Sequence, residues 1–186
     1  MIAIMSVNLF PLFEGGSSRS LAKDETLFLT GEPVRSMFLV TEGQIDLVRH
    51  TETGFRVLLH SAGPGSVLAE ASAYSEAYHC DGTAVGSAQV RSVPLDLFRA
   101  RLDSDLGLAS VWAARLAHGL QGARMNAAIR SMRTVEERLE AWLAGGRPLP
   151  PKGQWQSLAE ALGVTREALY RELSKRRPAG SKAVTP

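Results

Sequence analysis

Residues 156–173 read QSLAEALGVTREALYREL, and this stretch decides the fold of the C-terminal part of the chain. Its apolar residues have helical spacing on both sides of Gly163, a residue that suits a tight turn between two short helices. Ala159 is small where two helices would cross, Val164 would fill the space between them, and Thr165 can cap the second helix. Small residue, glycine and cap in this register predict a helix-turn-helix.

The second helix of this motif carries charged side chains at its N-terminal end. Arginine can donate two hydrogen bonds to guanine and glutamate can accept one from cytosine, so this end can read bases in the major groove of double-stranded DNA. Flanking polar and basic side chains would contact phosphates. A helical hairpin with a charged outer face is the alternative. The predicted DNA-contacting residues are Thr165, Arg166, Glu167, Tyr170, Arg171, Gln156, Ser157 and Lys175, with Arg176 and Arg177 after Lys175.

The charge of the chain is distributed unevenly. Residues 1–110 hold 8 Lys/Arg against 13 Asp/Glu, a net charge of −5, whereas residues 111–186 hold 13 against 6, a net charge of +7. The basic part is therefore the candidate for binding a polyanion. A solvated helix face is the alternative reading of such a charge run.

The composition is that of an ordinary globular protein, with 45% hydrophobic and 22% charged residues in 186. This length favours two modest domains. No apolar run is long enough for a bilayer span and the N-terminus lacks a secretion pattern, so we expect a cytoplasmic protein with no membrane partner. The single cysteine, Cys80, cannot form an internal disulfide.

Short apolar runs separated by glycine-rich turns occupy the chain from Leu27 to Val93. This pattern predicts strands and a compact β-roll or barrel. Strands are expected at 27–29, 37–40, 45–48, 56–59, 83–85 and 89–93, followed by a short helix around 95–102.

A long helix is predicted to begin after a cap at residues 103–105 and to run for roughly 28 residues. One of its faces repeats apolar residues at intervals of three and four, which is typical of a coiled-coil seam between two copies of the chain. An internal core helix is the alternative. The seam consists of Leu106, Ala109, Ala113, Leu116, Leu120, Ala123 and Ala127, and a second apolar line, Leu108, Trp112, Met125, Ile129 and Met132, would pack on the chain itself.

Thr134 with Glu137 has the form of a capping box and predicts another helix, which Gly145 and Gly146 would end. The complete expectation is an α+β protein with four parts. These are a sensor domain at 1–102, a dimerisation helix at 103–132, a helix-turn-helix domain at 133–178 and a disordered tail at 179–186.

The order of these elements resembles the cyclic-AMP receptor protein (Crp/Fnr) family over about residues 8 to 177. The resemblance rests on residues 28–32 and 37–45, on the seam helix, and on Arg166-Glu167 with Arg171, which match the family's Arg-Glu-x-x-x-Arg recognition pattern. It implies a cyclic-nucleotide-binding-like β-roll and a homodimeric transcription regulator that works with RNA polymerase. No Ser/His/Asp order, Gly-rich phosphate loop or metal-ligand pair at i, i+4 spacing is visible, so the chain is not expected to be an enzyme.

The chain departs from the family in its effector site. Members that bind cyclic AMP hold the phosphate with an Arg-Ser pair, where this sequence has Cys80 and Asp81, although Glu70 stands in the ribose-binding place. An acid in place of a cation disfavours an anion. Cyclic AMP is therefore not the expected effector. The candidate effector-pocket residues are Glu70, Ala71, Cys80, Asp81, Ala123 and Arg124, of which the last two replace a hydroxyl pair of the family's dimer helix.

His79 and Cys80 are weak candidates for a metal or redox sensor, and a buried thiol beside a loop histidine is the alternative. One cysteine cannot hold an iron-sulfur cluster, and the cofactor is left unknown. Residues 174–186 lack the apolar alternation needed for the family's β-hairpin wing. A dimeric ligand-, metal- or redox-sensing module that no longer binds DNA is therefore the second functional hypothesis.

Overall fold

The computed structural model describes residues 9–151 and 155–176. Within these residues eight strands form two antiparallel four-stranded sheets. The strands are β1 (Ser17–Leu21), β2 (Thr26–Phe28), β3 (Ser36–Glu42), β4 (Ile45–His50), β5 (Arg56–Ala62), β6 (Val67–Leu68), β7 (Asp81–Ala84) and β8 (Ala88–Pro94). One sheet has the order β1-β8-β3-β6 and the other β2-β7-β4-β5. Short 3-10 helices lie at Phe10–Phe13 and Glu70–Ser72.

All six predicted strands are present, with small shifts at their ends. The prediction missed β1 and β6. In β1 only Leu21 is buried, because this strand lies at the edge of its sheet and is held mainly by its pairing with β8. In β6 only two residues pair with β3, which is too short to form a pattern.

Five α-helices follow the sheets: α1 (Leu95–Ser104), α2 (Leu106–Ser131), α3 (Val135–Ala144), α4 (Trp155–Leu162) and α5 (Arg166–Lys175). The predicted caps are confirmed. Asp105 Oδ1 accepts from Leu108 N at 3.0 Å, and Thr134 and Glu137 make both hydrogen bonds of the capping box. The C-terminal two helices are those of the predicted helix-turn-helix.

The chain divides into two compact units, one up to His118 and the other from Gly119 onward, so that α2 contributes residues to both. The predicted division at 102, 132 and 178 remains a prediction. The predicted tail, 179–186, lies outside the described residues, as do residues 177 and 178. In the described part of the chain no helix has the length and apolarity that a membrane span requires.

The core of the first unit joins the β-roll to the start of α2. The Phe98 ring lies 5.6 Å from that of Phe13 and 5.1 Å from that of Trp112, between centroids. Leu108 packs against the same core as predicted, but so does Leu116. Leu116, a predicted seam residue, therefore packs partly on its own unit.

The second unit has a small core of its own. It contains the apolar positions predicted for the helix-turn-helix together with one residue each from α2 and α3. Its buried members are Ile129, Leu139, Leu158, Ala159, Leu162, Leu169 and Leu173, with Val164 packed against them. Met125, expected to pack on the chain itself, is about half exposed (49%), so that expectation was wrong.

Candidate nucleic-acid interface and effector site

The turn between α4 and α5 has the geometry that the sequence predicts. Gly163 has φ +65°, in the left-handed region that favours glycine. Val164 N donates to Ala159 O at 3.0 Å. Thr165 Oγ1 accepts from Ala168 N at 3.2 Å, which caps α5. The start of α5 is thus fixed by local hydrogen bonds.

The exposed face of the first two turns of α5 carries Arg166, Glu167 and Arg171. Arg166 lies against Tyr170, with its guanidinium carbon 5.2 Å from the ring centroid and Nη2 3.4 Å from the hydroxyl. Such an exposed cation–π contact is weak, about 0.5–1 kcal/mol, so Arg166 can leave the ring to bind another partner. The ring of Tyr170 also makes a T-shaped contact with that of Trp155, at 4.9 Å between centroids.

The flanking polar residues have different surroundings. Gln156 Nε2 donates to Glu160 Oε1 at 2.8 Å on the surface of α4. Lys175 Nζ is mostly exposed and lies 3.3 Å from Glu172 Oε2. Both remain candidates for phosphate contact. Ser157 lies in α4 but its side chain lies outside the described part of the structure, and Arg177 falls outside it altogether.

Arg176 differs from the expected phosphate contact, because its guanidinium is occupied within the second unit. Its Nε lies 3.3 Å from Glu172 Oε1, and its Nη2 lies 3.4 Å from Glu140 Oε1 and from Glu136 O. Glu172 is buried, at 6% exposure. The sequence reading missed it, although its spacing to Lys175 and Arg176 is that of helical ion pairs.

In the first unit, residues 69–72, which include the candidate effector-pocket residues Glu70 and Ala71, turn sharply. Ala69 has φ +62° without being glycine, and the 3-10 helix of Glu70–Ser72 follows it. Ser72 is buried, and its hydroxyl lies 2.9 Å from His79 Nδ1. The exposed His79 thus has a hydrogen-bond partner within its own chain. Glu70 is half-buried and Ala71 is exposed.

Asp81, which the resemblance aligns with a phosphate-binding serine, accepts hydrogen bonds from other residues of the β-roll. Its Oδ1 accepts from Thr30 N and from Thr30 Oγ1, each at 2.7 Å, and its Oδ2 lies 3.2 Å from His50 Nδ1. Burial raises the pKa of the Asp81 carboxyl, but the bonds from Thr30 and His50 outweigh it and leave the pKa below its usual range. A charged Asp81 disfavours an anion here.

Cys80 is 1% exposed and belongs to the core of the first unit. Burial, with further contributions from the charges of Asp81 and Glu70, raises the pKa of its thiol to about 11. A thiol of this kind forms little thiolate at neutral pH, which is the form that binds metals and reacts with oxidants. No group of three or more His, Cys, Asp or Glu side chains suited to a metal ion occurs in residues 9–151 and 155–176.

The remaining candidates lie on α2. Ala123 and Arg124 belong to the second unit, whereas Glu70, Ala71, Cys80 and Asp81 belong to the first, and a shared pocket stays a prediction. The predicted seam is largely uncovered in the single chain. Leu106 and Leu120 are 84% and 52% exposed, and Ala113, Ala123 and Ala127 are exposed as well, while Ala109 is half-buried.

Residues 18–105, in the first unit, match the family model described as "Cyclic nucleotide-binding domain". Three solved structures resemble the chain over most of its length. FixK2 from Bradyrhizobium japonicum has a TM-score of 0.72 and 22% identity, covering 90% of this chain and 89% of that one. CLP, a c-di-GMP responsive global regulator from Xanthomonas campestris, has a TM-score of 0.66 and 18% identity, covering 91% and 89%.

TTHB099, a CRP-family transcriptional regulator from Thermus thermophilus, has a TM-score of 0.61 and 22% identity, covering 90% of this chain and 88% of that one. No curated protein matches the sequence. The α+β fold expected from the resemblance to Crp/Fnr regulators is therefore confirmed. At these identities the similarity concerns the fold.

Proposed function

We propose that this protein is a sequence-specific DNA-binding transcription regulator that reads a palindromic site as a homodimer. It acts in the cytoplasm together with RNA polymerase, and an effector other than cyclic AMP controls it through the N-terminal domain. The observation that carries this proposal is the N-terminal half of α5, where a capped helix presents Arg166, Glu167 and Arg171 to solvent.

Base reading follows from the chemistry of these three side chains. Arg166 and Arg171 can each bind guanine O6 and N7 with two hydrogen bonds, and Glu167 can accept from cytosine N4. The N-terminal end of the second helix is the part of a helix-turn-helix that enters the major groove. The basic charge of residues 111–186, net +7, would add sequence-independent attraction to phosphates.

The homodimer is supported by the exposed apolar face of α2. Leu106, Ala113 and Leu120 lie seven residues apart and are exposed in the single chain. Exposed leucines at heptad spacing gain free energy when a second helix covers them. Two copies paired in this way would set their α5 helices against half-sites about one helical turn apart on DNA.

An effector other than cyclic AMP is supported by the two residues that stand where relatives that bind cyclic AMP have their phosphate-binding Arg-Ser pair. Cys80 is an apolar core residue there, and Asp81 is an acid already bonded to Thr30. Neither offers the cation that a cyclic phosphate needs. CLP, which shares the fold, is described as responsive to c-di-GMP, so a change of effector among proteins of this fold has a precedent.

The proposal is tested with DNA selected in vitro from a random pool by the full-length protein. Arg166→Ala should weaken binding to the selected site by about 10- to 100-fold and relax its sequence preference. Arg35→Ala is the matched control, because it removes the same charge from an exposed side chain of the first unit. If selection enriches no sequence, or both variants bind like the wild type, the proposal fails.

A further inference from the structure

Two arginines outside the predicted DNA-reading set hold the C-terminal end of α4. The first is Arg130, in the last turn of α2. Its Nε donates to Ala161 O at 3.1 Å, and its Nη2 donates to Glu160 O at 3.2 Å. The guanidinium of α2 thus binds two consecutive carbonyl oxygens of a different helix.

The second arginine is Arg138, on α3. Its Nη1 donates to Gly163 O at 2.9 Å and to Leu162 O at 3.1 Å. Its Nε donates to Met132 O at 2.9 Å, in the turn between α2 and α3. One side chain therefore bonds the turn between α2 and α3 and the turn between α4 and α5. We refer to Arg130 and Arg138 as the arginine clamp.

The clamp completes the hydrogen bonding of the end of α4. The last four carbonyls of a helix have no partner inside it. Here Ala159 O accepts from Val164 N and Glu160 O from Gly163 N. The clamp supplies donors to Ala161 O and Leu162 O and a second donor to Glu160 O. Two positive charges also lie at the end of the helix where its dipole is negative, which is favourable.

The shape of the turn is matched to the clamp. A Cβ added to Gly163 would lie 3.3 Å from Cγ of Arg130 and 3.6 Å from Nη1 of Arg138. The glycine therefore serves both the left-handed backbone and the close approach of the two arginines. This is a second observation, independent of the hydrogen bonds, that the clamp and the turn form one packed assembly.

We infer that Arg130 and Arg138 are positioning residues for DNA reading, an inference that rests on the proposed function. Thr165, which caps α5, follows the clamped turn by two residues. The direction in which α5 presents Arg166 is thus tied to the ends of α2 and α3. The clamp thereby couples the orientation of α5 to that of the end of α2, the helix whose exposed seam is expected to pair two copies of the chain. Neither arginine of the clamp contacts a base in this role.

The test uses full-length protein, the DNA selected by the wild type and an unrelated duplex of the same length. The variants are Arg130→Gln, Arg138→Gln and Arg138→Lys. Lysine keeps the charge but cannot span Met132 O and the turn carbonyls with one planar group. Arg133→Gln is the control, because Arg133 lies in the turn between α2 and α3 and its side chain makes no hydrogen bond to the described residues. Thermal unfolding of every variant shows the fraction folded.

We expect the ratio of selected-site to unrelated-DNA affinity to fall about tenfold in both glutamine variants and in Arg138→Lys, at temperatures where they are folded. In Arg133→Gln the ratio should not change. Equal losses on both DNAs with a lower salt slope would instead show that the arginines contact phosphates, and rescue by Arg138→Lys would show a role of charge alone. Either result overturns the inference.

Amide hydrogen exchange separates this inference from the proposed function. Loss of the clamp should speed exchange at residues 163–169 relative to the β-roll, whether or not DNA binds. If the wild type selects no DNA, both the proposed function and this inference are wrong. Faster amide exchange in the clamp variants would then show only that the clamp stabilises the turn. If the wild type selects DNA and the glutamine variants keep the affinity ratio, the inference alone is wrong.

Discussion

Replacing Gly163 by alanine should destabilise the second unit. The φ of +65° places the new Cβ in the left-handed region, which costs a residue with a side chain about 1–2 kcal/mol. The contact of 3.3 Å with Arg130 Cγ adds little, because that side chain can shift by a few tenths of an ångström. We therefore expect a loss of about 1–2 kcal/mol in the free energy of unfolding.

The same chemical change in a regular helix should have the opposite sign. Gly119 lies within α2, is exposed, and a Cβ built on it meets nothing within 4 Å. Gly119→Ala should stabilise the helix by about 1 kcal/mol, because glycine is a poor helix former. A pair of Gly→Ala variants with opposite effects separates backbone strain from the general effect of adding a methyl group.

Urea denaturation followed by tryptophan fluorescence measures both variants. Two of the three tryptophans, Trp142 and Trp155, lie in the second unit. At a slope of about 2 kcal/mol per M, the Gly163→Ala midpoint should fall by about 0.5–1 M. If Gly163→Ala unfolds at the wild-type midpoint, or if both variants shift in the same direction, the left-handed turn is not a source of strain and the reasoning is refuted.

Three further predictions concern the first unit and α2. Because burial raises the pKa of Cys80 to about 11, a thiol-specific disulfide reagent should react slowly with the native protein at pH 8 and completely in urea; fast native labelling would restore the redox hypothesis. Since the pKa of Asp81 lies below its usual value of 3.8, its stabilising effect is present above that pH and is lost as the pH falls through the lowered pKa. The melting temperature of the wild type should thus drop more steeply with acid than that of Asp81→Asn, with exposed Asp103→Asn as the control that keeps the wild-type slope. Ala113→Glu should weaken the homodimer by at least about a hundredfold in sedimentation, because two unpaired carboxylates would be buried in the seam, while Ala100→Glu on α1 should leave it intact; a wild type that sediments as a monomer would contradict the dimer itself.

Most of the architecture could be predicted because its signals are local. The helix-turn-helix is encoded within 18 residues by Ala159, Gly163, Val164 and Thr165, each of which acts on near neighbours. The capping box at Thr134 is local in the same sense. Strand β1 could not be predicted, because SSRSL carries no alternation and its place is set by pairing with β8, about 70 residues away in the sequence.

The same distinction between local and long-range signals applies to the residues of the candidate sites. The exposed Arg166 and Arg171 follow from helical periodicity once the motif is located. The roles of Arg130, Arg138 and Glu172 depend on carbonyls or side chains brought close by tertiary packing, and a charged residue in a helical pattern is ordinarily assigned to the solvent face. The bonds of Asp81 to Thr30 likewise join positions 51 residues apart.

The end of α4 has a practical consequence for protein engineering. Three of its terminal carbonyls receive donors from Arg130 and Arg138, which lie 24 to 31 residues earlier in the chain than those carbonyls. A graft of residues 155–176 onto a foreign scaffold would leave the oxygens of Ala161 and Leu162 without these protein donors and Glu160 O with only Gly163 N. The shortest transferable segment must therefore begin upstream of Arg130, so that it contains both the helix-turn-helix and the arginines that donate hydrogen bonds to the end of α4.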